Sequence, residues 1–275
     1  MTNTSQNTLF KKRIALTQEH GSWVFLFSPL LIGLFAGERW TVTSGFLILT
    51  ALAVFLFKQP LTMAVKIMSG RRGRQDLPAA YFWMGVYGAF ALIGFVGMWV
   101  QGFGWLAVLA LPGIPVLVWY LYLVSRRAER RQIGVEIVAS GALALSAPAA
   151  YWIGIGETNP LGWWLWLLAW FQSAASIVYA ALRLEQRGWK EVLPLEMRLK
   201  AAGRALGYTG FNLGLVLLLG FRDTVPAGVG WAFAVQFAET VWGAVRPAIN
   251  LRPARIGVRQ LIVSSLFTVL FIVFW

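Results

Sequence analysis

Cysteine is absent from the chain, which excludes disulfides, thiolate metal sites and cysteine-linked lipids. Histidine is nearly absent too: His20 is the only one, which argues against a zinc site built from protein ligands alone. Acids are scarce, 11 against 24 Lys and Arg, and charged residues of both signs make up only 13% of the sequence. That leaves too little polar surface to coat a body dissolved in water. What the chain has instead is apolar: 58% of its 275 residues are hydrophobic, and mean hydropathy is +0.65.

The apolar residues fall in nine runs, roughly 20–37, 43–65, 79–99, 103–124, 133–153, 161–183, 205–221, 227–245 and 259–275. A helix needs about 20 apolar residues to cross the hydrocarbon core. Alternating β segments would be about half as long, whereas stretches such as Phe46 to Phe57 are continuous. Lipid cannot satisfy exposed backbone groups, so these runs are expected to be helices. Cations concentrate in alternate gaps. The first, third, fifth and seventh gaps hold only Arg39 and Arg222, and Lys58 sits inside a run. This bias puts the N-terminus in the cytoplasm, and nine spans put Trp275 at the outer face. Trp40, Trp99, Trp105, Trp152, Trp163, Trp164 and Trp231 map to the same outer ends, as an interfacial belt would.

The expected fold is therefore all-α, a polytopic bundle of nine transmembrane helices. Residues 1–19 read as a polar cytoplasmic segment, and 20–275 as a single transmembrane domain. The first run is read as retained rather than removed as a signal peptide. Gly70, Gly73, Pro160, Pro226, Pro247 and Pro253 punctuate the gaps. The longest gap, 184–204, alternates Trp189, Val192, Leu195, Met197 and Leu199 with Lys190, Arg198, Lys200 and Arg204. It reads as a cytoplasmic interfacial segment, with Pro194 breaking or starting a helix. The net charge of +13 would suit nucleic acid, but the cations are dispersed over short loops beside apolar runs. The lipid bilayer is the expected partner, and the sequence identifies no protein partner.

Ionisable groups inside a membrane are costly and point to function. Glu19 and His20 open the first run, Lys58, Gln59 and Thr62 lie in the second, and Glu136 starts the fifth. Gln172, Ser176, Tyr179 and Arg183 follow helical steps of four, three and four. Gln236, Glu239, Gly243 and Arg246 do the same in steps of three, four and three, and Tyr208 stands four before Asn212. Each stripe is expected to line a cavity open to the cytoplasm, with Lys58 and Glu239 facing the interior and one of them paired. Lys58, Gln59, Gln172, Ser176, Arg183, Asn212, Gln236 and Arg246 are the ligand-binding candidates. His20, Glu19, Glu136 and Glu239 are the candidates for moving protons. The competing reading is that these groups pair between helices or snorkel to the interface. The Arg126–Arg131 loop reads first as a topology determinant, and otherwise as an anion-binding rim. No glycine loop suits a nucleotide.

Several of these strings resemble the YwiC-like family of uncharacterised bacterial multi-pass membrane proteins. They are Glu19-His20-Gly21-Ser22-Trp23 with Pro29 and Gly33, Lys58-Gln59-Pro60-Leu61, and the basic stretch leading to Glu136. Tyr179 to Arg183, and Arg252-Pro253 through Ile256-Gly257-Val258, belong to the same set. Ser22 stands where alanine is expected. The resemblance implies the bacterial cytoplasmic (inner) membrane and supplies no established reaction.

A more distant similarity is to the UbiA-type intramembrane prenyltransferases, which implies nine helices around a cytoplasm-facing cavity and two aspartate-rich motifs holding magnesium. Here the chain departs from the pattern. The first place reads Lys58-Gln59-Pro60-Leu61-Thr62-Met63-Ala64-Val65-Lys66, and the second Arg183-Leu184-Glu185-Gln186-Arg187. The motifs do not support magnesium, no cofactor is evident, and no catalytic residue carries over. Three roles follow: a membrane-embedded transferase or lipid-processing protein holding an anionic lipid or isoprenoid; a transporter, for which Pro112, Pro115 and Pro148 would disturb spans four and five; or a non-catalytic subunit or assembly factor.

Overall fold

The computed structural model describes residues 12–16, 21–129 and 132–275. Among them there are helices and turns and no strand. The helices are α1 (Lys12–Ala15), α2 (Ser22–Ala36), α3 (Val42–Met68), α4 (Leu77–Val100), α5 (Gly113–Ser125), α6 (Ile133–Ala144) and α7 (Ser146–Ile155). They continue with α8 (Leu161–Gln186), α9 (Leu195–Phe221), α10 (Gly230–Val245) and α11 (Pro253–Phe274). Each of the nine apolar runs lies over one of these helices or over a broken pair. Among the described residues, seven stretches are long and apolar enough to cross a bilayer, and α2 is a shorter apolar helix. Large apolar side chains such as Ile114, Val118 and Tyr122 on α5 point outward, as only a lipid solvent tolerates over so wide a face. The chain is a multi-pass membrane protein.

The prolines act where the sequence places them. In the fourth run, residues 104–110 form a 3-10 turn, and α5 starts only after Pro112. In the fifth, Pro148 has no N–H for the Ala144 carbonyl, and α6 ends at Ala144. The Leu145 N–H turns back to the Ala142 carbonyl at 3.3 Å, and the Gly141 carbonyl accepts from the Trp166 indole at 2.9 Å. Pro194 precedes α9, whose basic first turns and apolar remainder form one unbroken helix.

The chain divides into two compact units. The first comprises the described residues up to 16 together with Trp40–Val135. Thr41 caps α3 in a capping box, its hydroxyl accepting from the Ser44 N–H while the Ser44 hydroxyl accepts from the Thr41 N–H. α1 docks on α3 and α4 by burying Ile14 among Met63, Ala64, Ala79 and Ala80. Arg13 pairs with the buried Asp76 at 2.8 Å, and the Tyr87 hydroxyl donates to the Ala15 carbonyl at 2.8 Å. At the far end of α3, Arg71 donates to the Val124 carbonyl at 2.5 Å and to Glu129 at 2.8 Å, with Lys66 3.7 Å from the same carboxylate. The hydrogen bond from Arg71 holds the Glu129 carboxyl below the usual carboxylate range.

The second unit comprises Gly21–Arg39 and Glu136–Trp275. Lipid supplies no hydrophobic force between helices, so close packing must hold them. α2 meets α7 through Gly33 and Gly37, four residues apart. A Cβ on Gly33 would stand 2.1 Å from the Ala147 carbonyl oxygen, and one on Gly154 would stand 2.6 Å from that of Gly37. α8 crosses α10 and α11, and there the packing turns polar.

Candidate functional site

α8 presents one polar face toward α10 and α11, and its residues are matched rung by rung. Gln172, Ser176, Tyr179 and Arg183 are all buried. Across their eleven-residue spacing the helix rises about 16 Å. At the top rung, Gln236 donates to the Gln172 carbonyl at 3.0 Å, while the Gln172 amide reaches Ser264 at 3.4 Å. The Gln236 Oε1 atom is buried there with no hydrogen-bond partner. At the next rung, Gln260 donates to both the carbonyl and the hydroxyl of Ser176, at 2.7 and 3.0 Å.

The third rung carries the charge. Glu239 accepts from the Tyr179 hydroxyl at 2.8 Å and takes two bonds from Arg259, at 2.6 and 2.7 Å. The Arg259 guanidinium carbon lies 3.6 Å from the centre of the Trp242 ring. Glu239 is 10% exposed and Arg259 44%, so one edge of the guanidinium stays open. Gly243 makes room for this arrangement, since a Cβ there would stand 2.3 Å from the Tyr179 hydroxyl.

The fourth rung closes the end of α10. A helix leaves its last carbonyls without partners, and they carry partial negative charge. Arg183 donates to those of Gly243 and Arg246 at 2.9 and 2.7 Å, and to Gln186 at 2.8 Å. Arg198 from α9 donates to the Val245 carbonyl, and Arg187 to that of Leu251 at 2.7 Å. Three guanidiniums thus fasten the α10–α11 connection.

Between the last two rungs lies a groove of about 570 Å³, within the usual range for small-molecule sites. Tyr179, Arg183, Glu239, Arg255 and Arg259 are its polar lining, and Trp242, Leu251, Ile256, Val258 and Ile262 supply apolar walls. Three arginines against one glutamate leave two positive charges in excess. The first turn of α11, which carries partial positive charge of its own, opens onto the same space. Among the described residues, no group of three or more His, Asp or Glu is placed to hold a metal.

Of the residues singled out in the sequence, Gln172, Gln236, Ser176, Arg183, Glu239 and the Arg246 carbonyl come together in this seam. Glu239 is paired there with Arg259. Asn212 is buried beside the seam, donating to the Phe171 carbonyl at 2.9 Å. Glu136 stands exposed in the first turn of α6. Lys58 and Gln59 belong to the first unit: Lys58 lies 4.4 Å from the centre of the Tyr120 ring, and Gln59 donates to the Arg13 carbonyl at 2.9 Å. Glu19 and His20 lie outside the described residues, as do Arg130 and Arg131. Sequence reasoning passed over Arg259, Gln260, Ser264 and Trp242. The spacing of Gln260, Ser264 and Thr268, four and four along an otherwise apolar helix, was the available signal.

No curated protein and no solved structure matches the chain. Residues 16–151, just under half its length, match the profile of the family described as YwiC-like protein. Over that segment the chain is similar to the YwiC-like family.

Proposed function

We propose that this protein binds an anionic amphiphile, seating the headgroup in the groove between α8, α10 and α11 and leaving the tail in lipid. The observation that carries this reading is the pairing of a surplus of arginine with apolar walls in one cavity. Arg255 and the open edge of Arg259 are the headgroup ligands. Glu239 and Trp242 hold the Arg259 guanidinium in place, so little side-chain freedom is lost on binding. Val258 and Ile262 are exposed along the wall and continue it into the bilayer. Positive-inside bias assigns this end of the helices to the cytoplasmic side of the bacterial inner membrane. What the groove supplies is recognition; a lipid-processing step, or a UbiA-like arrangement around it, would add chemistry from residues elsewhere. The test is mass spectrometry of small molecules retained after mild purification. An anionic lipid or isoprenoid should accompany the wild type and be lost from the double variant Glu239→Gln/Arg259→Gln. Equal retention by both would overturn the assignment.

The seam above the groove favours a second reading. Gln172, Ser176 and Asn212 already spend their hydrogen bonds between helices, as a non-catalytic membrane subunit would use them. A stoichiometric protein partner in the same purification, with no lipid retained, would select it.

A further inference from the structure

Resting on the reading just given, we infer that the groove selects an amphiphile ending in a phosphomonoester, a dianion, over phosphodiester headgroups with one negative charge. The argument begins with charge balance. Arg183, Arg255 and Arg259 line the groove with Glu239 as the lone acid, so the lining carries two positive charges in excess, although Arg183 spends its hydrogen bonds on the end of α10. A phosphodiester neutralises one of them, whereas a fully ionised phosphomonoester neutralises both.

Geometry points the same way. Arg255 and Arg259 are four residues apart on α11 and share one face. Arg259 already spends two donors on Glu239, which leaves it a single open edge. Arg255 is exposed, and among the described residues its side chain makes no hydrogen bond to the protein. Two guanidinium edges converging from one helix face suit a terminal phosphate with three free oxygens. A diester has only two free oxygens and carries a substituent that must find room as well. The first turn of α11 adds its dipole on the same side.

The two charge states differ by one full charge, and at a half-exposed site the gain is on the order of tenfold in affinity. The second phosphate ionisation falls at a pH of about 6. The preference should therefore be full at pH 8 and shrink toward pH 5 as the monoester becomes a monoanion. The titratable groups facing the ligand are Tyr179 and Arg183 from α8, Glu239 from α10, and Arg255 and Arg259 from α11.

The experiment is a lipid titration of the full chain in detergent, read by native mass spectrometry. Phosphatidic acid is compared with phosphatidylglycerol of matched acyl chains at pH 8 and pH 5, with inorganic phosphate as competitor. The wild type should hold phosphatidic acid roughly tenfold more tightly at pH 8. Arg255→Gln should remove most of that margin, and because Arg255 is exposed the substitution leaves the fold intact. Equal affinity for the two lipids, abolished together by Glu239→Gln/Arg259→Gln, would overturn the inference and leave the anionic-amphiphile reading standing. No affinity for either lipid would overturn both. Displacement of phosphatidic acid by an equimolar amount of inorganic phosphate would keep the monoester chemistry but refute the amphiphile.

Discussion

Glu239 and Arg259 meet through two hydrogen bonds from one guanidinium, at 2.6 and 2.7 Å, joining α10 to α11 where the groove begins. The glutamate is nearly enclosed and the arginine half open. The two partners are therefore not equivalent. Removing Arg259 strands a shielded charge, whereas removing both leaves none. Arg259→Gln alone should cost about 1–2 kcal/mol, reduced from the buried-pair range because Arg259 is partly exposed. Glu239→Gln/Arg259→Gln should cost less than the single change. Melting temperatures in one detergent test this, and equal losses for the two variants would contradict it.

The α2–α7 crossing makes a sharper steric prediction. Gly33→Ala pushes a methyl into the Ala147 backbone oxygen, which cannot rotate away. A loss of about 1–3 kcal/mol is expected. Gly45→Ala in α3 meets nothing within 4 Å and should be neutral or mildly stabilising. Similar melting shifts for the two substitutions would show that α2 and α7 are not packed this closely.

Arg183 and Arg255 line the same groove but should separate cleanly. Arg183, 3% exposed, satisfies carbonyls at the end of α10, so Arg183→Gln should loosen the 246–252 connection and lower stability by about 2 kcal/mol. Hydrogen exchange in that segment should rise. Arg255→Gln should leave both stability and exchange unchanged while weakening ligand retention. The reverse pattern would exchange their assigned roles.

Glu129 sets an acid limit for the first unit. Its folded pKa is depressed, chiefly by the Arg71 hydrogen bond, so it contributes stability above the unfolded carboxyl value of about 4.3. That contribution disappears as pH falls through the lower folded value. Melting temperature should therefore drop on acidification below about pH 5, and Glu129→Gln should flatten part of that drop. An unchanged acid limb in the variant would remove Glu129 from the account.

Much of this was legible in the sequence because it is local. Long apolar runs give helices, Pro148 breaks one by lacking a donor, and Pro194 starts another. The stripe Gln172–Ser176–Tyr179–Arg183 could be read from spacing alone, since a single helix fixes which face its residues share. What those residues touch could not be read. Arg183 looked like an anion ligand and proves to close a helix end, because the carbonyls it serves lie about 60 positions away. Arg259 looked like the edge of an apolar run, and only the approach of α10 makes it the partner of Glu239. The Trp166 indole satisfies the Gly141 carbonyl that the kink at Leu145 leaves open, a contact that spacing along one helix does not reveal.

The matched rungs along α8 also constrain how the protein is assembled. α11 emerges after α8 and α10, and until it arrives Ser176 and Glu239 lack the partners it brings. Shifted by one turn, α11 would set Ser264 and an apolar residue opposite acceptors meant for Gln260 and Arg259. In a solvent that tolerates sliding between greasy surfaces, this polar file works as a vernier: α11 has one depth at which every mark aligns.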